Sequence, residues 1–191
     1  TLADHLEIGR REFLGGLYTN GNGPCLPTMN ILRCIQEGAK RHKLGKEVLR
    51  GMFPLVEDVD VLYEGSRDPD EMWKQADVFS IRKGVVVSGR RVTRTRPIFR
   101  HWAAEAPFEV DAHIFNFETI EKIVAEAGKY AGLGDMRPVY GRFVGTVLSE
   151  EEWIRQADGD RDSFWAANRS SIERVLREDA RREEVSARKK R

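Results

Sequence analysis

The chain has 191 residues, 40% of them hydrophobic and 33% charged, with 32 basic and 31 acidic residues for a net charge of +1. This is a globular but highly charged composition, long enough for one domain with a real core, or one domain with an appendage. Two cysteines, Cys25 and Cys34, exclude a disulfide scaffold and fit reduced thiols of an intracellular protein, and no apolar run approaches the roughly 18 residues of a membrane span.

In chain order, residues 1–14 read as a helix, with Leu2, Leu6, Phe13 and Leu17 at helical spacing and Thr1 and Asp4 at its start. The abrupt opening on Thr1 suggests an earlier segment, and no signal peptide is visible. Asn20-Gly21-Asn22-Gly23, between two short apolar runs, predicts a hairpin. Thr28 is placed to cap a helix over 29–40, and Lys40-Arg41-His42-Lys43 closes it with charge that the helix dipole explains. Residues 45–51 read as a turn or short helix, and 52–53 and 59–63 as strands. Asp68 followed by Pro69 predicts a capped one- or two-turn helix.

Residues 85–99 are β-branched and basic together, as expected of a hairpin or a basic loop. Residues 102–111 read as a strand. Asn116 caps a helix to about residue 131, a glycine-rich loop follows, and 143–148 reads as a strand. Ser149 and the acids after it open another helix, Asp158-Gly159-Asp160 breaks it, and a long helix runs from about Asp162. Six of the last eleven residues are Lys or Arg, a solvated helix end or a tail that orders on a partner. The domain reading is an α+β core over 1–148 and a helical extension with a basic tail over 149–191.

Charge is segregated along the chain. From Val78 to Ala104 there are seven basic residues, Arg82, Lys83, Arg90, Arg91, Arg94, Arg96 and Arg100, and no acid, whereas the remainder carries 25 basic against 31 acidic residues. Arg94 and Arg96, two apart on a strand, share a face with Val92 and Ile98. Arginine suits phosphate because its planar fork donates two parallel hydrogen bonds. Phe99, Trp102 and Tyr140 are candidate stacking surfaces for bases.

The second candidate is Gly132-Leu133-Gly134-Asp135-Met136-Arg137-Pro138-Val139-Tyr140-Gly141-Arg142-Phe143. Its glycines and proline fix an irregular backbone that carries Arg137, Arg142 and Tyr140. Gly134 lies beyond the cap glycine Gly132, where a bare backbone could approach a phosphate. A dinucleotide fingerprint is excluded, because Arg137 stands where the third glycine belongs and the loop follows a helix instead of opening one. The chain has no P-loop motif. Residues 158–162 imitate a calcium loop, but Ser163 and Arg169 break the pattern at its sixth and twelfth positions. The four histidines lack metal-ligand spacing. No catalytic centre, cofactor or metal site is expected.

Four segments resemble an uncharacterised family of small phage and prophage proteins: Glu12 to Tyr18 (EFLGGLY), Tyr63 to Asp68 (YEGSRD), Arg91 to Phe99 (RVTRTRPIF) and the glycine loop, of the form GLGD-x-RP-x-YGRF. The resemblance runs from the first helix to about Leu148. Family members carry a strand upstream of the first helix that this chain lacks. The late glycine loop also resembles, in type and placement only, that of RAMP proteins of CRISPR effector complexes, whose core is ferredoxin-like or RRM-like.

The fold expectation is therefore α+β: a ferredoxin-like or RRM-like antiparallel sheet with helices on one face and a helical C-terminal extension. The functional expectation is non-catalytic binding of single-stranded nucleic acid, DNA before RNA, in phage replication or recombination. The protein would act as a homo-oligomer or complex subunit in the cytoplasm of a bacterial host, with no membrane partner. The candidate binding residues are Arg90, Arg91, Arg94, Arg96, Arg100, Gly134, Arg137, Tyr140 and Arg142. The alternatives are an assembly protein docking through its C-terminal helix, and a metal-dependent nuclease or nuclease accessory using Asp68 and Asp70.

Overall fold

The computed structural model describes residues 2–157. The expected break at Asp158-Gly159-Asp160, the long helix after it, the basic tail and the capping role of Thr1 lie outside them. The elements run α1 (Leu2–Gly15), β1 (Thr19–Asn20), β2 (Gly23–Pro27), α2 (Thr28–Ala39), α3 (Gly45–Gly51), β3 (Met52–Pro54), β4 (Asp58–Asp60), α4 (Pro69–Lys74), α5 (Ala76–Phe79), β5 (Ser80–Val87), β6 (Arg90–Pro97), β7 (Phe108–Val110), α6 (Phe117–Glu126) and α7 (Glu150–Ala157). A 3₁₀ turn, Lys40–His42, follows α2, and a π-helical turn, Ala127–Ala131, continues α6. No helix among the described residues is long and apolar enough to cross a membrane.

The fold is mixed α+β with small antiparallel sheets. The described strands fall into three groups, β1-β2-β4, β3-β7 and β5-β6, so the single ferredoxin-like sheet is not formed among them. β1, β3, β4 and β7 have only two or three residues each. Of the strand expected over 102–111, β7 and a bridge between Leu62 and Ala103 are formed.

The chain clusters into two compact units, Thr1–Met29 with Pro54–Phe108, and Asn30–Phe53 with Glu109–Arg191. The stretch read as one core, 1–148, is thus shared between two units. In the first, Phe13, Met72 and Phe79 are buried together, with Leu14, Leu17, Tyr63, Trp73 and Phe99 packed on them. Full burial of each of the first three contributes about 1.5–3 kcal/mol through removal from water, and the partly buried ones contribute less. Arg67 ties the first hairpin to β4, donating to the carbonyls of Asn22 and Val61. In the second unit, Leu32, Ile35 and Ala39 of α2 and Ile120 and Ile123 of α6 are buried, as their helical spacing requires.

Caps fix the helix starts. The Asp68 carboxylate accepts from the amides of Asp70 at 2.8 Å and Glu71 at 3.0 Å, with Pro69 in the first turn. The Asn116 side chain accepts from Thr119. Ser149 and Glu152 form a reciprocal capping box at α7. Thr28 differs from expectation. Its buried hydroxyl donates to the Val56 carbonyl at 2.5 Å and pins the start of α2 to the segment before β4.

Candidate nucleic-acid interface

The basic run folds as a hairpin. β5 and β6 pair over eight rungs, from Ser80 opposite Pro97 to Val87 opposite Arg90. Ser88 and Gly89 make the connection with φ of 50° and 77°. Two positive φ values suit a tight hairpin turn, because that turn's twist matches the twist of the strands. The register assigns Lys83, Arg90, Arg94 and Arg96 to one face with Val92, and Arg82 and Arg91 to the other. The expected sharing of a face by Val92, Arg94 and Arg96 is therefore observed, while Ile98 lies beyond the end of β6.

Lys83 stands directly opposite Arg94. Like charges so placed repel, and an acid from α1 relieves them. The Glu12 carboxylate accepts from the Arg94 guanidinium at 2.5 Å and from the Thr95 amide at 2.8 Å. It is only 14% exposed. Burial alone would raise its pKa. The Thr95 amide, the ion pair with Arg94 and the charge of Arg96 outweigh burial and hold the carboxyl below its ordinary range. The outer edge of β6 is thus covered by α1, and the buried Thr95 hydroxyl packs at the bare backbone of Gly9. Arg94 is accordingly a partner of Glu12 and not an open phosphate ligand. Arg96 is half-buried and donates to the Thr95 carbonyl at 3.3 Å.

Arg90, Arg91 and Arg100 remain. All three are exposed, and among the described residues none has an ion pair or hydrogen-bond partner. Arg91 lies over the bare backbone of Gly84 on its face of the hairpin. Arg82, near the start of β5, is likewise exposed and without a partner among the described residues, so open positive charge lies along the hairpin and on the segment just after β6.

The aromatic expectation is corrected at Phe99. Its ring packs 4.8 Å from Tyr63 and 6.4 Å from Phe79, half-buried against the core of the first unit. Trp102 and Tyr140 are half-buried and engaged within the chain. No aromatic platform accompanies the hairpin arginines among the described residues.

The glycine loop belongs to the second unit and is held by its own backbone. The Leu133 amide donates to the Gly141 carbonyl at 2.8 Å, Tyr140 to Met136 at 3.1 Å, and Gly132 to Ala127 at 2.9 Å. A side chain at Gly141, where φ is 75°, would come within 1.7 Å of the Leu133 carbonyl oxygen. Gly141 is therefore required by a close approach. Gly134 is exposed and meets open space, at φ 87°. Arg137 folds back and donates to the Gly134 carbonyl at 3.1 Å, which closes the loop on itself. Arg142 is half-buried with a partner inside the chain.

The strand expected over 143–148 does not form. The segment runs along α6 instead: Phe143 donates to the Gly128 carbonyl, and the bare backbone of Gly145 packs on Val124. An apolar run meets a helix here, where a neighbouring strand was expected.

Asp68 and Asp70 have structural duties. Asp68 caps α4, and Asp70 pairs with Arg10 at 2.7 Å. Among the described residues no group of three or more His, Cys, Asp or Glu side chains is placed to hold a metal ion. Cys25 and Cys34 are free and buried.

Sequence reasoning missed Glu12. Its signal is long-range, since it lies 82 positions from the arginine that it neutralises. No protein-family model, curated protein or solved structure matches this chain.

Proposed function

We propose that the chain binds single-stranded nucleic acid, DNA before RNA, without catalysis, as an oligomer or a complex subunit in phage replication or recombination inside a bacterial host. The observation that carries the reading is the set Arg90, Arg91 and Arg100: exposed, unpaired among the described residues, and on the same basic run as Arg94, which Glu12 pairs. Charges left open beside charges that are paired suit a surface whose counter-ion arrives from outside.

The test is a salt titration of oligo-dT binding by fluorescence anisotropy. Replacing Arg90 and Arg91 together by Ala should flatten the salt dependence by about 1.4 units of slope, at roughly 0.7 per phosphate contact on a single strand. Folding should be preserved, because exposed charges usually alter stability by no more than about 0.5 kcal/mol. Absence of binding at low salt, or an unchanged slope in the double variant, would overturn the reading.

A further inference from the structure

The second unit carries an exposed aromatic ring between two cations. The π-helical turn Ala127–Ala131 closes through the Gly132 amide on the Ala127 carbonyl at 2.9 Å. Such turns are rare and often mark functional positions. This one is tightly packed on its inner side. A Cβ at Gly38 would meet the Ala127 nitrogen at 2.6 Å, and one at Gly128 would meet the Phe143 carbonyl oxygen at 2.2 Å. The backbones of α2, the turn and the extended segment thus approach as closely as glycine allows, and the outward residues of the turn, Lys129 and Tyr130, sit on a tightly packed base.

Tyr130 is 45% exposed. The Arg41 guanidinium lies over its ring at 4.2 Å from the centroid, and the Lys129 ammonium lies at 5.3 Å. Glu126 lies beside it: one carboxylate oxygen is 3.1 Å from Arg41 Nε, an ion-pair contact without hydrogen-bond geometry, and the other is 2.9 Å from His42 Nε2. More than half of the Arg41 side chain remains in solvent. Lys43, next to this group, is exposed and held at φ 62°.

An ordinary cation–ring contact stabilises a surface by roughly 0.5–1 kcal/mol and needs only one cation. Here a carboxylate accompanies the cation, a second cation flanks the same ring, and the backbone beneath is tightly packed. Aromatic rings and arginine planes are the surfaces on which unpaired bases stack, and neighbouring lysines meet the phosphates between those bases. We infer that Tyr130 and Arg41 form a base-stacking platform for single-stranded nucleic acid, with Lys129 and Lys43 as its phosphate contacts. The inference rests on the nucleic-acid reading above and supplies what the hairpin lacks, a contact that senses bases.

The experiment compares oligo-dT with an abasic strand of equal length, which keeps the phosphates and removes the bases. Wild type, Tyr130→Ala, Tyr130→Phe and the Arg90→Ala/Arg91→Ala double variant are titrated against both, with melting temperatures measured in parallel. Tyr130→Ala should lose at least about fivefold in affinity for oligo-dT, the low end expected for one stacked base, and nothing on the abasic strand. Tyr130→Phe should bind both strands as wild type does, and the arginine double variant should weaken on both. Unchanged oligo-dT binding by Tyr130→Ala would remove the platform and leave the hairpin reading intact. An equal loss on both strands with a lowered melting temperature would also overturn it, making Tyr130 a structural staple. Failure of the wild type to bind either strand would remove the functional reading and the platform with it.

Discussion

Glu12 and Arg94 stand 82 positions apart in the chain and form an ion pair at 2.5 Å, with the second oxygen of the same carboxylate on the Thr95 amide at 2.8 Å. The pair joins α1 to the middle of β6. It changes the meaning of the basic run, because a stretch that carries no acid of its own receives one from the first helix. Not every arginine there is available to a ligand.

Arg94→Ala and Glu12→Ala should therefore behave as stability variants. Arg94→Ala leaves the shielded Glu12 carboxylate without its cation, which costs about 1–3 kcal/mol, and Glu12→Ala, which leaves the more exposed Arg94, should cost less. Urea denaturation should show the loss, and the salt slope of oligo-dT binding should stay at the wild-type value in Arg94→Ala. A slope reduced as much as by removal of an open arginine would show that Arg94 meets phosphate after all.

The same carboxylate sets a pH dependence. Burial pushes the Glu12 pKa up, but the Thr95 amide, Arg94 and Arg96 together push it further down, so its folded value lies below its unfolded one. A depressed carboxylate adds stability that is fully present above the unfolded pKa, near 4.3, and is lost as pH falls through the folded pKa. Glu12→Gln should thus be less stable than wild type at neutral pH, and the gap should narrow as the medium is acidified below about pH 4. A gap that stays constant from neutral to acid pH would mean that the charge of Glu12 adds nothing to stability.

Local chemistry was legible where the partner lies within a few residues. Asp68 before Pro69, Asn116, Ser149 with Glu152, and the Asn20–Gly23 turn each announce a cap or turn whose groups are two or three positions away, and each is observed. For residues 85–99 the β-branched residues and Gly89 left a hairpin or a basic loop, and the hairpin that forms begins earlier, at Ser80. What failed depends on distant partners. Residues 143–148 have the composition of a strand, but their neighbour is α6, which the run itself does not encode. Phe99 looked like a stacking ring because nothing local reveals Tyr63 and Phe79 beside it. The basic run that holds the exposed Arg90, Arg91 and Arg100 was visible in the sequence, whereas the ion pair of Arg94 and the group around Tyr130 needed the fold.

The glycine loop gives a graded prediction. Gly141→Ala forces a methyl to within 1.7 Å of the Leu133 oxygen and should cost several kcal/mol or prevent folding. Gly134→Ala adds a methyl into open space, and its strain comes only from φ of 87°. It should cost roughly 1 kcal/mol. Because Arg137 is turned onto the Gly134 carbonyl, neither Gly134→Ala nor Arg137→Ala should alter the oligo-dT salt slope. A weaker slope with an unchanged melting temperature in both would restore this loop as a phosphate site.

Cys34 reports whether the loop opens. Its thiol is buried on α2, donates to the Ala127 carbonyl at 3.6 Å, and shares that carbonyl with the Gly132 amide. Burial pushes its pKa up to about 11, despite the Arg137 charge and a hydrogen bond from Gly132. At pH 8 the reactive thiolate is then only about one part in a thousand. Cys25 is buried as well, and burial with the charges of Asp58 and Asp60 raises its pKa in the same direction. A Cys25→Ser variant isolates Cys34. Its reaction with an aromatic disulfide reagent at pH 8 should be slow in the native state and should accelerate with urea in step with global unfolding. Fast labelling in the absence of denaturant would mean that the turn at Ala127–Ala131 and the glycine loop after it open together while the rest of the chain stays folded. The tightly packed base beneath Tyr130 would then be lost, and base stacking there would have to be coupled to the opening.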